Sequence, residues 1–462
     1  MSDGAVRATS PPVPRGVLAA YAAPAFSQTL VHGPTGSVIQ GVYAKSFGIP
    51  LATVAAVLLI ASVVDAVANP AVGYLSDRHR ARGGSRVAWL VGGSIASAVA
   101  CWFLFAPAGN VGATYFGGWL IFAFVGWAIA EVPYSAWLAE ITTDYNERTR
   151  LATWRGVAMY GGAIAFAAIP YLPFLSTTEF NLESLRWTAL LAVIALPSFA
   201  LLAATIVPRG APAIAPRSTQ NVWRGIFGNR PLLVFALLFL LYHLSPGILT
   251  GLLFFYLDGH LHQGAFMAGL MLLTLPLGAL AVPVWGWACR RFGKQRAWAA
   301  GVAGAALVGL LYALVPVGPD GRVMLVLVQF SMILLYAGFP VAAPSMLADV
   351  IDYGRLRFGV DYAGTYFSIY NVMYKAMPGI GAAIGLSLVG LWGFDPGAAH
   401  QTTAATTGLL VSFCVIPAAL LAIVAPMLWF FPIDARRQRI IAARLRQRDE
   451  RAARLPTART AS

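Results

Sequence analysis

Long apolar runs, broken at short intervals by clusters of Arg, Gly and Asp, set the pattern of this chain. A run of about 20 apolar residues is what a helix needs to cross the hydrocarbon core of a bilayer. Such runs fall at about twelve places: 17–45, 50–75, 87–108, 112–138, 153–173, 186–207, 231–257, 265–289, 296–317, 323–347, 362–393 and 407–431. Gly and Pro lie inside many of them, as they do in membrane helices whose kinks are re-satisfied by neighbours. No long strand-like alternation competes, so the pattern predicts an all-α polytopic membrane protein.

Composition agrees. A chain of 462 residues that is 58% hydrophobic and 11% charged, with mean hydropathy +0.70, holds more apolar surface than one soluble core can hide, and lipid is its expected solvent. Of the 32 Lys and Arg, all but Lys45, Arg186, Arg322 and Lys375 fall on alternate loops and at the two ends. That bias places those loops and both termini in the cytoplasm. The net charge of +14 therefore reports topology, and nucleic acid is not an expected partner. The Arg-rich tail reads either as a helix on anionic lipid or as a solvated topogenic segment. Cys101, Cys289 and Cys414 show no paired spacing, which gives neither a disulfide framework nor a zinc site. The first sixteen residues lack an apolar core, so no cleaved signal peptide is expected.

The chain also repeats itself. An acid inside an apolar helix, Asp65, runs into a basic turn at Pro70, Gly73 and Arg78, and the same Pro-x-x-Gly-x-x-x-x-Arg recurs at Pro283, Gly286 and Arg291. A gapped second echo sets Pro133, Leu138, Ala139, Glu140, Asp144 and Tyr145 against Pro344, Leu347, Ala348, Asp349, Asp352 and Tyr353. Two copies of one turn imply two similar membrane halves. The expected organisation is a six-helix bundle at 1–207, a cytoplasmic linker at 208–230, a second six-helix bundle at 231–433 and a basic tail at 434–462.

Three motifs in order carry a resemblance: Asp65-x-x-x-Asn69-Pro70-x-x-Gly73 with Asp77-Arg78-x-Arg80-x-Arg82-x-Gly84; the run from Val132 through Glu140, Asp144, Tyr145 and Arg148 to Leu151; and Leu347-Ala348-Asp349-Val350-Ile351-Asp352-Tyr353. From about Tyr21 to the last span the chain resembles the glycoside–pentoside–hexuronide:cation symporters, the melibiose-permease-like family of the major facilitator superfamily. The resemblance implies two six-helix bundles around a central cavity and alternating access that moves a solute with a cation.

By that resemblance Asp65 corresponds to the first of two helix-2 acids that hold the coupling cation, and Asn69 stands where the second would be. One helical turn apart, the two face one cavity. Sodium prefers several oxygen ligands with carboxylate charge, whereas a lone desolvated acid suits a proton. H+ is the expected coupling ion, ahead of Na+. A carboxylate in an apolar helix is functional by default, the plain alternative being neutralisation of a buried base. Lys375 corresponds to the family's helix-11 lysine, with Asn371 one turn before it. Asp65 is its expected partner, so that a cation competing for Asp65 releases Lys375 and biases the bundles.

Glu131, on a Glu-x-Pro pattern with Pro133, corresponds to an acid that binds sugar hydroxyls. Gln28 and Thr29 replace the helix-1 Lys–Asp pair of that site, and Ser135 stands where a stacking Trp is expected. Glu131 thus stays open between solute ligand, second proton carrier and ion-pair partner of Arg155. Trp127, Tyr134, Tyr366, Tyr370 and Tyr374 either stack on a sugar ring or pack as ordinary aromatics. His32 and His243 either shuttle protons or sit as hydrogen-bonded helix histidines. Asp77 with Arg78, and Glu140 with Arg148, are expected to close the cytoplasmic mouth.

The expected function is a symporter of a small polar solute, a glycoside or related sugar, acting as a monomer in the plasma membrane (a bacterial inner membrane) without a cofactor. An amphipathic or anionic solute such as a lysolipid or uronide is the alternative. No paired-histidine motif, nucleophile beside a base or nucleotide loop supports a membrane enzyme. A transport-dead receptor is the remaining rival.

Overall fold

The computed structural model describes residues 13–109, 111–142, 145–210, 222–359, 362–398 and 400–454. Arg7, Asp144, the linker stretch 211–221 with Pro212, Pro216 and Arg217, and Arg459 of the tail lie outside the described residues.

Each predicted span is helical. The first bundle holds α1 (Arg15–Ser37, continued by Ile39–Phe47), α2 (Leu51–Ala81), α3 (Arg86–Phe105), α4 (Ala113–Ile141), α5 (Tyr145–Ala168) and α6 (Leu182–Ile206). The second holds α7 (Arg230–Phe254), α8 (Met267–Phe292), α9 (Lys294–Leu311), α10 (Arg322–Tyr336, then Phe339–Phe358), α11 (Ala363–Leu391) and α12 (Thr403–Leu410, a wide turn Val411–Val415, then Ile416–Trp429). A short helix, Val222–Phe227, lies in the linker, and the tail forms a helix, Ala435–Arg454. Side chains close the first turns of several helices. Ser85 accepts from the Val87 amide at 3.1 Å, Asn181 and Ser184 form a reciprocal capping box, and Asn229 accepts from the Leu232 amide at 3.2 Å.

Among the described residues nine helices are long and apolar enough to cross a membrane, and α8, bent by 40° between Gly278 and Leu280, makes ten. Helices α1 and α5 complete the twelve by position but are less apolar, because they carry Ser27, Gln28, Thr29, His32 and Arg155. Those two helices pack on each other, which turns polar residues to protein instead of lipid.

The packing repeats with a shift of six helices. Pairs α1·α5, α1·α6, α2·α4, α3·α4 and α3·α6 in the first bundle match α7·α11, α7·α12, α8·α10, α9·α10 and α9·α12 in the second. The sequence echo at Gly73 and Gly286 is thus a repeat of architecture. Across the bundles α2 meets α11 and α5 meets α8, two contacts that the same shift exchanges. Glycines permit the closest approaches: a Cβ on Gly93 would overlap the Ala130 backbone, one on Gly162 the Phe26 carbonyl, and one on Gly247 the Pro378 backbone.

The bundles touch at one end. Lys45 pairs with Asp258 at 2.8 Å, Thr178 donates to the Ala265 carbonyl at 3.2 Å, and Gly41 lies against the Phe254 ring. Deeper contacts set Ser62 against Gly379 and Tyr160 near Gly278. Past that level, toward the Arg-rich end, Tyr74 of α2, Val157 of α5, Val284 of α8 and Phe367 of α11 are all exposed.

Neighbouring glycines test the close packing. Gly93→Ala pushes a methyl into the α4 backbone, an overpacking that costs about 1–3 kcal/mol. Gly92→Ala meets nothing within 4 Å and should leave the protein unchanged or slightly more stable. Thermal unfolding of the two purified variants in detergent should separate them.

Candidate functional site

Helix α2 carries Asp65 and Asn69 one turn apart, so both side chains leave the same face. Asp65 is buried, and its Oδ1 accepts a hydrogen bond from Asn69 Nδ2 at 2.8 Å; the same nitrogen also reaches the Asp65 carbonyl at 2.7 Å. The other end of the amide, Asn69 Oδ1, accepts from Lys375 Nζ of α11 at 2.7 Å. The result is a chain, Asp65–Asn69–Lys375, that crosses between the bundles. The expected direct pair of Asp65 and Lys375 is corrected here: Asn69 stands between them. An amide both donates and accepts, so it bridges an ammonium and a carboxylate in a way no second carboxylate can.

Trp127 of α4 joins this chain. Lys375 Nζ lies 5.2 Å from its ring centroid, and His32 of α1 stacks on it at 3.9 Å. The ammonium thus has an oxygen on one side and an aromatic ring nearby. Asn371, one turn before Lys375, is exposed.

One wall of the first bundle is a second polar group. Arg155 of α5 forms an ion pair with Glu131 of α4, and Ser135 donates to the same Glu131 oxygen at 2.8 Å. The Arg155 guanidinium also lies over the Tyr134 ring at 5.0 Å. Of the three roles left open for Glu131, this arrangement contains the ion pair. Thr29 turns back to the Ala25 carbonyl at 2.9 Å, a bond within its own helix. Tyr370 packs in an aromatic group with Phe239 and Tyr374, at 4.8 and 6.3 Å. His243 bonds to the Phe239 carbonyl at 3.1 Å, the plain reading of a helix histidine.

The charged pairs at the Arg-rich end differ from those expected. Arg86 bridges Asp77 at 2.7 Å and Glu140 at 2.6 Å, and Arg80 holds the second Glu140 oxygen at 2.9 Å. Arg78 is exposed, and Arg148 donates to the carbonyls of Thr142 and Ala139. The partners are set by geometry: on α2, Arg80 lies one turn beyond Ser76 and faces α4, whereas Arg78 does not. These contacts stay within the first bundle and its exit at Gly210, to which Arg80 donates at 2.8 Å. They tie α2, α3 and α4 together and do not span the mouth. The second bundle repeats the arrangement with Lys294 and Asp349 at 2.5 Å. Arg86 and Lys294 were not singled out by sequence reading; their place at the first turn of α3 and α9, just after the repeated turn, is the signal that could have found them.

Known proteins resemble the chain along nearly its whole length. A family profile described as MFS/sugar transport protein matches residues 20–435. The inner membrane symporter YicJ of Escherichia coli (strain K12) is 24% identical over 400 residues, covering 81% of this chain and 82% of that protein. The putative glycoside/cation symporter YagG of the same organism is 26% identical over 446 residues, covering 91% and 92%. The solved nucleoside transporter NupG superposes with a TM-score of 0.64 at 15% identity over 90% of this chain and 99% of that one, a likeness of fold alone.

Glu140, with its side chain 1% exposed, is held by two guanidiniums. Glu140→Ala leaves them facing each other, and breaking a buried pair costs about 3–5 kcal/mol. Arg78→Ala should stay within about 0.5 kcal/mol of wild type, as exposed substitutions do. Melting temperature and yield in detergent check both.

Proposed function

Since this chain belongs to the MFS/sugar transport protein family, we propose that its cavity carries a neutral glycoside or related sugar across the plasma membrane together with a proton, Asp65 being the group the proton joins. The chain is a secondary transporter, not an enzyme. The observation that carries the coupling proposal is the hydrogen-bonded chain from Asp65 through Asn69 to Lys375.

With Asp65 ionised, its charge balances that of Lys375 through the Asn69 amide. A proton on Asp65 removes the charge that the Asn69 N–H groups point at, and Lys375 is left with the amide oxygen alone. Charge-assisted hydrogen bonds are about twice as strong as neutral ones, so protonation weakens the link between α2 and α11. That is a differential contact of the kind that shifts a two-state equilibrium between bundles. Sodium would have to take the Asn69 oxygen from the ammonium, which favours the proton.

The Glu131–Arg155 pair bears on the solute. Arg155 already has a carboxylate partner, so its charge is not free for a uronide or phosphate. Serine and glutamate oxygens on the same wall suit hydroxyls. This supports a neutral sugar over an anionic solute. Lys and Arg bias supports cytoplasmic termini.

Uptake into proteoliposomes tests the coupling. A pH gradient should drive accumulation over a panel of glycosides, and sodium at fixed pH should not. Asp65→Asn should abolish accumulation while solute exchange persists, and Asn69→Asp should raise the response to sodium. Sodium-driven uptake by the wild type without any response to pH would overturn the proton assignment.

Glu131 and Arg155 should behave as a pair. Glu131→Gln or Arg155→Gln alone leaves one buried charge unmatched, at about 3–5 kcal/mol, whereas the double variant should recover much of that stability. Melting temperatures of the three variants form the cycle. Additive losses would argue that the two residues act separately.

A further inference from the structure

Between α1, α3, α4 and α6, wholly within the first bundle, lies a cavity of about 20 Å³ whose lining includes Gln28, His32, Ser97, Phe124, Trp127 and Leu196. That is room for one water-sized oxygen. Gln28 is 6% exposed and Ser97 4%. Gln28 Nε2, Ser97 Oγ and Trp127 Nε1 are buried without a hydrogen-bond partner. Buried polar atoms are nearly always paired, and the three residues that carry these unpaired atoms, from three helices, all line this one space.

Their chemistry restricts the occupant. Trp127 Nε1 only donates, the Gln28 amide nitrogen donates, and the Ser97 hydroxyl does either. Two N–H donors refuse a cation, and no Lys or Arg lines the cavity to balance an anion. What remains is an uncharged oxygen that accepts two N–H bonds and shares an O–H with Ser97. His32 lines the cavity and stacks on Trp127, whose ring also lies near Lys375, so the space adjoins the chain of Asp65, Asn69 and Lys375.

We propose that Gln28, Ser97 and Trp127 form a one-oxygen subsite, filled by a hydroxyl of the transported solute or by a resident water. The solute source rests on the sugar reading above; the oxygen site itself does not. A solute hydroxyl seated there would bond to the ring that faces Lys375, so recognition and coupling would meet at Trp127.

Two measurements separate the sources. In proteoliposomes, glucose, galactose, xylose and their single-deoxy forms compete for uptake of whichever glycoside is transported. If a solute hydroxyl fills the site, one deoxy form loses affinity by about tenfold or more, as sites built to bond a hydroxyl reject its absence, and Ser97→Ala and Gln28→Leu each erase that difference. In parallel, the Raman band sensitive to indole N–H hydrogen bonding, isolated by subtracting Trp127→Phe, is read on folded protein without solute. A bonded N–H that becomes free in Ser97→Leu, or in Gln28→Leu should the former not fold, assigns the oxygen to water when no deoxy form is discriminated. A free Trp127 N–H with and without solute, together with no discrimination, overturns the subsite. If no sugar moves under any gradient, the sugar reading fails while the N–H measurement still decides the site.

Discussion

An ammonium held between two helical bundles must have oxygen beside it, because an unpaired charge away from water is among the costliest arrangements a membrane protein can contain. Lys375 meets that constraint through Asn69, and Asn69 is fixed in turn by Asp65. The order of the three groups follows from what each can do. An ammonium only donates and a carboxylate only accepts, so the group between them must accept at one end and donate at the other. Asparagine does this within one side chain. The contact between α2 and α11 thus includes a hydrogen-bonded chain that ends on a carboxylate bonded to Asn69, the partner of Lys375.

The rest of the architecture makes that dependence consequential. Within each bundle, helices are locked by backbone contacts at glycine, and by Glu140 and Asp349 with their basic partners at the Arg-rich end. Such packing resists rearrangement inside a bundle, so a change of state that keeps it intact must act at the cross-bundle contacts. At the opposite end Lys45 and Asp258 are partly exposed, where an ion pair is worth about 0–1 kcal/mol. That pair adds little to the closure, which rests more on contacts such as Gly41 against the Phe254 ring.

Much of this was legible in the sequence. Apolar run length located twelve helices, and the repeated Pro-x-x-Gly turn announced a two-fold architecture that the helix pairing reproduces. The basic residues left over by the loop count were informative as well: Lys45 pairs with Asp258, Lys375 with Asn69, and Arg322 lies over Phe266. Partner choice was not legible. Asp77 and Arg78 are adjacent in sequence and therefore point to different sides of a helix, whereas Arg86 reaches Asp77 across a turn. The same limit hid the surroundings of Trp127, which with its neighbours His32 and Lys375 joins three helices from both halves. Spacing along one helix reports which residues share a face, and nothing in it reports what that face meets.

Duplication leaves a final asymmetry. Aligning Gly73 with Gly286 sets Gly278 and Val282 of α8 opposite Asp65 and Asn69 of α2. The two-fold shift likewise exchanges the contact of α2 with α11 for that of α8 with α5. On one side, then, the bundles meet through a carboxylate, an amide and an ammonium; on the other, Tyr160 approaches Gly278. At its aligned positions, Gly278 and Val282, that seam has neither a carboxylate nor an amide side chain. The seam of α2 and α11 has both, in Asp65 and Asn69. Two halves of one ancestral design thus differ where they touch, and under the proposed coupling it is the seam of α2 and α11 that holds the group whose charge the ion changes.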